Sequence, residues 1–291
     1  MPHGLDHIVH AIRDLDAAGE FYSRAGFAVG ARNRHPWGTH NRIVQFAGVF
    51  IELVNVGEPE LIVSGAPGSF SFGGFARDFL AHDEGLAMLV LEGRAAAADA
   101  KAFRAAGIGD FGVFDFERQA KRPDGSTVKV AFSLAFAADA KTPDIGYFTC
   151  QQHFPENFWN PAFQVHPNGV AGIADVVMVS ERPEDHRYFL GAFSGVSEIK
   201  SSACGISLQT ERGAIQVMNP SAYRAYAGTE PPNLTRGARL AAICFIAGDK
   251  AKVTSTLNKG DIAALERNGN IVVPPDAAYG ATLIFETSKA G

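Results

Sequence analysis

The sequence predicts an α+β protein built from four tandem βαβββ modules. Two observations predict this class. One strand-like run, one amphipathic stretch and three further strand-like runs follow each other within about 55 residues, and the same order then recurs along the chain. A length of 291 residues also favours about two domains, since a single hydrophobic core rarely grows much larger. We therefore expect two pairs of modules.

The first module covers roughly residues 3–57. The run GLDHIVHAI predicts its first strand, and an amphipathic helix is expected from about Asp16 to Ala25. Gly26 is expected to end this helix, because glycine readily takes the left-handed conformation after a last helical turn. Three further strands are predicted near residues 27–32, 42–46 and 49–56.

The second module covers roughly residues 84–153. It begins with the strand GLAMLVLEG and continues with a helix that ends at Gly107. Strands are predicted near residues 112–118 and 127–135, and Asp124-Gly125 between them is typical of a hairpin turn. The run IGYFTCQQH predicts the last strand of the module.

The third and fourth modules follow from Gly169 onward. The third has the strand GIADVVMVS, a helix with a proline in its first turn that ends at Gly195, and the strands ACGISLQT and GAIQVMNP. The fourth has the strand ARLAAICFIAG, the helix DKAKVTSTLNKG, the run IAALERNGNIVVPP and the strand GATLIFET. Asn268-Gly269 inside that run indicates another hairpin.

Two segments lie outside the repeat. Residues 58–83 contain FSFGGF (70–75), which fits either a mobile lid over an apolar ligand or a loop packed against the sheet. Residues 154–169 are rich in aromatic residues and proline, so we expect them to pack across a surface rather than to form a flexible linker. They mark the expected boundary between an N-terminal domain, 1–168, and a C-terminal domain, 169–291.

Composition limits the classes of partner and location. The net charge of −5 and the isoelectric point near 6.0 give no basic surface for nucleic acid. No apolar run reaches the ~18 residues of a membrane span, and the charged first 30 residues do not resemble a secretory signal. Three widely spaced cysteines favour a reducing compartment over a disulfide framework. We therefore expect a cytoplasmic protein that binds neither nucleic acid nor membrane.

A set of short motifs lies between residues 5 and 169. They are LDH (5–7), DL (14–15), FY (21–22), GF (26–27), HPWGTHN (35–41), FIEL (50–53), FSFGGF (70–75), PDG (123–125), CQQHFPENFWNP (150–161) and HPNG (166–169). With these motifs the chain as a whole resembles the glyoxalase-like domain proteins of the vicinal oxygen chelate superfamily, which contains glyoxalase I, extradiol dioxygenases and fosfomycin-resistance proteins. The resemblance implies two cup-shaped mixed sheets, one for each pair of modules, each formed around a ligand and often a divalent metal ion.

The resemblance places two candidate metal ligands, His7 and Glu52, on the first and last strands of the first module. An imidazole and a carboxylate suit one divalent ion such as Zn, Ni, Mn or Fe. Alternatively, the two side chains pair with each other or with a buried water, which offsets their burial without a metal. In an enzyme of this type, Glu52 is the expected general base and His7 is its partner or a metal ligand.

The second module does not repeat this ligand pair. Aligning GLDH with GLAM places Met88 opposite His7 and either Cys150 or Gln151 opposite Glu52, all poor ligands for a hard ion. His153, or the side-chain carbonyl of Gln151, would then have to complete the set.

The second half offers still less for metal binding. Asp175 stands in place of His7 and Gln216 in place of Glu52, and Ala242 and Ile284 occupy the matching positions of the fourth module. We expect this half to be structural, or to form a wall of the first cup or the surface of a homodimer.

Two further segments carry candidate substrate-binding residues. The loop HPWGTHN is either a polar lip around the ligand, with Arg34 or Arg42 as the counter-charge, or a plain surface turn. The segment from residue 150 to 169 is expected either to turn polar groups into the cavity or to join the two halves by aromatic packing. The candidates from both segments are His35, Trp37, Thr39, Asn41, Gln151, His153 and Trp159.

These observations predict a small-molecule enzyme of the glyoxalase/dioxygenase-like type. We expect isomerase or lyase chemistry on a carbonyl or vicinal-oxygen compound, assisted by a metal ion if the ligand set is complete. The alternative is a non-catalytic protein of the same fold that binds and sequesters a small molecule.

Overall fold

The computed structural model describes residues 2–121 and 125–287, which form two eight-stranded sheets of the expected α+β class. Pro123 and Asp124, which belong to the predicted PDG motif and hairpin turn, lie outside the described residues. No helix in the described part of the chain is long and apolar enough to cross a membrane.

The first module begins as the sequence predicts and then departs from it in one place. The side chain of Asp14 accepts hydrogen bonds from the backbone at the start of the helix and so caps it. The strand predicted at 27–32 is irregular chain, in which the N–H of Ala28 donates to His166 and the N–H of Gly30 donates to the Ile43 carbonyl. The elements are β1 (Leu5–Ala11), α1 (Leu15–Arg24), β2 (Asn33–Arg34), β3 (Thr39–Phe46) and β4 (Val49–Val56).

The segment between the first two modules forms a helix, which was not predicted, since the sequence left open a mobile lid or a loop packed against the sheet. Helix α2 (Phe72–Leu80) begins inside FSFGGF, and the Ser71 side chain caps it by accepting from the N–H of Gly74. Phe70, Phe72 and Phe75 pack against an apolar cluster on one face of the first sheet. The phenylalanines of FSFGGF therefore belong to the packed interior.

The second module follows its predicted order, with strand ends shifted by one to three residues. Its elements are β5 (Gly85–Glu92), α3 (Ala96–Ala105), β6 (Phe114–Lys121), β7 (Thr127–Ala137) and β8 (Gly146–Gln152). The next segment contains the short helix α4 (Pro155–Phe158). It packs on the first sheet, where the Gln45 side chain donates to the Phe158 carbonyl and accepts from the N–H of Asn160.

The C-terminal half repeats the module order. Strand β10 and helix α6 were not predicted, since the first is a short edge strand and the second follows a strand within the run NPSAYRAYA. The elements are β9 (Val170–Val179), α5 (Arg187–Ser194), β10 (Ile199–Ser202), β11 (Gly205–Gln209), β12 (Ala214–Met218), α6 (Pro220–Ala227), β13 (Arg239–Ala247), α7 (Lys250–Lys259), β14 (Leu265–Arg267), β15 (Asn270–Val273) and β16 (Thr282–Thr287).

Both sheets have the same strand order. The first is β2-β3-β4-β1-β5-β8-β7-β6 and the second is β10-β11-β12-β9-β13-β16-β15-β14. In the first sheet, β1 runs parallel to β4 and antiparallel to β5, so the two modules join through their first strands. His7 pairs with Phe50, which places Glu52 two residues further along the neighbouring strand and on the same face.

One apolar core joins the two halves. Phe27 lies between them, with its ring centre 5.1 Å from that of Phe245 in the second sheet. His10 also spans the boundary, because its Nε2 donates to the carbonyl of Tyr279 over 2.8 Å. The shared core occupies one side of the first sheet and leaves the other, concave side for a ligand.

Candidate functional site

The concave face of the first sheet lines a cavity that is partly open to solvent and offers about 100 Å³ to the centres of water molecules. The loop HPWGTHN closes one side, because the Trp37 ring contacts Phe72 of α2 and Phe116 of β6. Gly38 is required there, since its φ is +84° and a Cβ would lie 2.4 Å from the Glu58 carbonyl oxygen. Most of the wall is apolar, with aromatic rings from Trp37, Phe50, Phe72, Phe116, Phe132, Phe148 and Phe158.

Polar groups gather in one corner of this cavity, around the Glu52 carboxylate. Asn41 donates to Glu52 Oε1 over 2.5 Å. His7 Nε2 lies 3.8 Å from Oε2 and His35 Nε2 lies 3.9 Å from Oε1. The structure thus brings together His7, His35, Asn41 and Glu52, and Thr39 stands beside His35.

His7 is held from behind by Asp6, a residue that the sequence analysis did not single out. Its Nδ1 lies 2.6 Å from Asp6 Oδ2, and a carboxylate only accepts, so Nδ1 carries the hydrogen. The other ring nitrogen of His7, Nε2, faces the Glu52 carboxylate. Gln152 donates to the other Asp6 oxygen over 3.0 Å, and Phe50 stacks on the His7 ring at 4.3 Å. These contacts fix both the tautomer and the orientation of the imidazole.

His35 has a different environment on the opposite side of Glu52. Its Nδ1 lies 2.9 Å from the Thr39 hydroxyl, and the Asn41 amide donates toward Nε2 over 3.3 Å. Burial lowers the pKa of His35, the charge of Glu52 opposes this shift, and the positive charge of Arg118 adds to it. His35 is therefore a neutral imidazole near pH 7.

Two polar side chains of the cavity wall, Arg118 and Cys150, come from the second module; the role of Arg118 was not predicted, and the sequence left open whether Cys150 or Gln151 faces Glu52. Arg118 projects from β6 on the same face as Phe116; burial lowers its pKa, and the charge of Glu52 opposes that shift. The sequence signal for Arg118 is its alternation with Phe116 along the strand, but this alternation does not show which face of the sheet is concave. Cys150 also lines the cavity, and burial, reinforced by the charges of Asp6 and Glu52, raises the pKa of its thiol.

Three predicted substrate-binding residues do not line this cavity. Gln151 points to the opposite face of β8, because Cys150 points inward, and its Oε1 accepts from the N–H of Ala96 in α3. His153 lies in a separate shallow groove beside Ser133. Trp159 lines a neighbouring smaller cavity.

The predicted counter-charges also lie elsewhere. Arg34 is mostly exposed and pairs with Glu58, while Arg42 pairs with Asp16 at the start of α1. Neither lines the cavity, whose positive side chain is Arg118.

The donors in the cavity do not complete a metal site. Within residues 2–121 and 125–287, no group of three or more His, Cys, Asp or Glu side chains is arranged to hold a metal ion. The facing wall supplies Met88, Phe148 and the protonated thiol of Cys150, which are poor partners for a hard divalent ion.

The matching positions of the second sheet hold a different set of polar groups. Gln216 donates to Asp175, and burial raises the pKa of that carboxyl while this hydrogen bond opposes the shift. The charge of Glu286 also acts on Asp175, and Tyr226 of α6 donates to Glu286. Tyr223 of the same helix packs in an apolar cluster that contains Ala242 and Ile284.

Comparison with known proteins supports this architecture. The family model of the glyoxalase-like domain matches residues 5–192. A search of curated proteins gave no significant match.

Three solved structures share the fold at low sequence identity. A hypothetical protein from Staphylococcus aureus superimposes with a TM-score of 0.68 at 14% identity, covering 98% of this chain and 100% of that one. A triple mutant of 4-hydroxymandelate synthase from Streptomyces coelicolor gives 0.57 at 11% identity, covering 100% and 94%. A xylose isomerase-like TIM barrel/4-hydroxyphenylpyruvate dioxygenase fusion protein gives 0.53 at 13% identity, covering 100% of this chain and 50% of that one.

The family match covers more than half of the chain, and the paired βαβββ modules agree with it. The chain belongs to the glyoxalase-like domain family of the vicinal oxygen chelate superfamily.

Proposed function

We propose that the protein is an isomerase or lyase that moves a proton on an apolar or aromatic carbonyl compound bound in the first cavity. The observation that carries this proposal is the row Asp6–His7–Glu52, which ends at the polar corner of an otherwise apolar chamber. A base, its partner and a group that orients the partner are the minimum set for acid–base catalysis.

Glu52 is the proposed general base. Asn41 holds Oε1, which leaves Oε2 to take a proton from the carbon beside the substrate carbonyl. His7, with Nδ1 held by Asp6, donates a proton from Nε2 to the oxygen on which negative charge develops, which gives an enol. In an isomerase, Glu52 then returns its proton to the former carbonyl carbon, and the hydroxyl of the neighbouring carbon gives its proton to His7 as the new carbonyl forms. In a lyase, the enol returns its proton to His7 as the carbonyl forms again, the bond between the next carbon and the departing group breaks, and Glu52 protonates that group.

The apolar wall contributes by keeping water from the reacting carbon. Phe50, Phe72 and Phe148 surround the polar corner, so charge interactions between Glu52, His7 and a bound substrate are stronger there than in water. The same wall selects a substrate with a flat or branched apolar body.

The alternative is a non-catalytic protein that sequesters a small apolar molecule. The predominance of aromatic side chains in the wall favours it, since such a wall binds apolar compounds whether or not the polar corner reacts. The two proposals differ in one measurable property, proton exchange at the bound ligand.

Deuterium exchange distinguishes them. We would incubate the protein in D₂O with aryl α-hydroxyketones, of which 2-hydroxyacetophenone is the simplest, and follow loss of the proton signal beside the carbonyl by NMR. Exchange should fall about a hundredfold or more in Glu52→Gln, since general bases contribute at least that factor.

The matched control is Glu117→Gln, because Glu117 is exposed on the opposite face of β6 and pairs with Lys129. Binding of the ketones without any exchange would support the sequestering protein instead. Equal exchange in wild type and Glu52→Gln would remove Glu52 from the mechanism.

A further inference from the structure

Arg118 is the one lysine or arginine among the described residues that line the cavity. It projects from β6 beside Phe116, and Phe132 of the adjacent strand lies on the same wall. Its side chain is half-buried, so much of the water that would normally surround a guanidinium is replaced by apolar groups.

No carboxylate in the described part of the chain comes within ion-pair distance of Arg118. Glu52 acts on it as a more distant charge, while its Oε1 is already engaged by Asn41. Other arginines of the first two modules have close partners. Arg104 pairs with Asp110, and Arg42 pairs with Asp16. A charge held in an apolar wall without a close counter-ion is unfavourable unless a ligand supplies one.

We propose that Arg118 binds the carboxylate of an organic acid whose aromatic body fills the rest of the cavity. This deepens the proposed function, on which it rests for the identity of the site, by naming the substrate as a carboxylic acid. The carboxylate lies at the β6 side, and the rings of Phe116 and Phe132 flank the adjoining part of the ligand.

The charges in the cavity favour a monoanion over a phosphate. A carboxylate matches the planar fork of one guanidinium with two parallel hydrogen bonds. A phosphate dianion carries a second charge, for which the described wall offers no second cation, and Glu52 repels it. The substrate class is therefore a monocarboxylic acid with an apolar body.

The test compares acids with their uncharged amides of equal shape. We would measure dissociation constants by titration calorimetry for phenylacetate, 3-phenylpropanoate and 4-phenylbutanoate, each against its carboxamide. In wild type, at least one acid should bind about tenfold or more tightly than its amide, because a charge-assisted pair is stronger than a neutral hydrogen bond. This preference should vanish in Arg118→Gln and in Arg118→Met, and it should persist in part in Arg118→Lys.

Arg104→Gln is the matched control, since Arg104 is exposed and pairs with Asp110 away from the cavity. Thermal melts of all variants check that they fold, and two different replacements of Arg118 guard against the failure of one. An acid preference that survives in both charge-removing variants, equal binding of acids and amides, or no binding of any acid would each overturn the proposal.

The outcomes separate this inference from the proposed function. Acid preference through Arg118 without proton exchange would keep the binding site and reject the enzyme. Proton exchange on uncharged ketones without acid preference would keep the enzyme and reject Arg118 as the carboxylate site.

Discussion

His7 Nδ1 donates a 2.6 Å hydrogen bond to the carboxylate of Asp6, its immediate neighbour in the chain. Adjacent residues of a regular strand point to opposite faces, so such a bond needs an irregularity. The pairing of β1 with β5 shifts register between Leu5 and His7, at Asp6 itself. A local irregularity of the strand therefore accompanies the orientation of the proposed catalytic imidazole.

Asp6→Asn should reduce turnover without weakening substrate binding. The neutral amide no longer stabilises the positive charge of a His7 ring that carries both hydrogens, so His7 is a weaker proton donor at Nε2. We expect kcat to fall at least about tenfold while KM stays nearly constant. Steady-state kinetics across pH would measure kcat and KM. The control is Asp78→Asn, because Asp78 is exposed on the surface of α2. A change in KM alone would assign Asp6 to ligand binding.

The incomplete donor set predicts weak metal binding. Protein purified without chelator should contain well under one equivalent of Zn, Ni, Mn or Fe by mass spectrometry, because no three His, Cys, Asp or Glu side chains among the described residues are arranged to hold a metal ion. Near-stoichiometric metal that disappears in His7→Ala but persists in His153→Ala would contradict this prediction and establish a metal enzyme. His153 is the matched control because it lies outside the cavity.

His10 makes stability depend on pH. It is fully buried, its Nδ1 accepts from the Tyr22 hydroxyl, and burial lowers its pKa to about 4, although its bond to the Tyr279 carbonyl opposes the shift. The unfolded chain binds a proton near the ordinary value of 6.5, so the free energy of unfolding should fall as pH drops from about 6.5 to about 4. The loss is of order 3 kcal/mol for this group.

Urea unfolding at several pH values would check the His10 effect. His35 and His166 also have lowered pKa values and add slope in the same window, so the comparison is made against His10→Gln. This variant should flatten the curve by up to about 1.4 kcal/mol per pH unit, the value for one proton. If the slope of unfolding free energy against pH were the same in His10→Gln, the pKa of His10 in the folded protein would not be lowered.

Phe27→Ala should destabilise both halves together. Phe27 is buried between the two sheets and contacts Phe46, Phe245 and Phe285, so its loss opens a cavity in the shared core. We expect a loss of about 3–5 kcal/mol. Phe163→Ala is the control, since Phe163 is 44% exposed and its removal should cost only a few tenths of a kcal/mol or so. Two separate unfolding transitions in wild type would contradict the shared core.

The order of the modules could be read from the sequence because local signals mark the elements: Asp14 caps α1, and Gly195 ends α5 in the left-handed conformation. These features depend on neighbouring residues, so they can be recognised without knowing the fold. His7 and Glu52 were candidates through the resemblance to the vicinal oxygen chelate superfamily, and both line the cavity.

Tertiary structure alone decided which side chains enter the cavity from the second module. The inward position of Cys150 rather than Gln151 depends on the register of β8, where a shift of one residue reverses every side chain. Arg118 enters because the sheet curls until Phe116 of β6 meets Trp37 of the HPWGTHN loop, a contact between residues about 80 positions apart. Asp6 reaches His7 through a register shift against a distant strand. Each of these positions is set by pairing between remote segments, and no local pattern encodes that pairing.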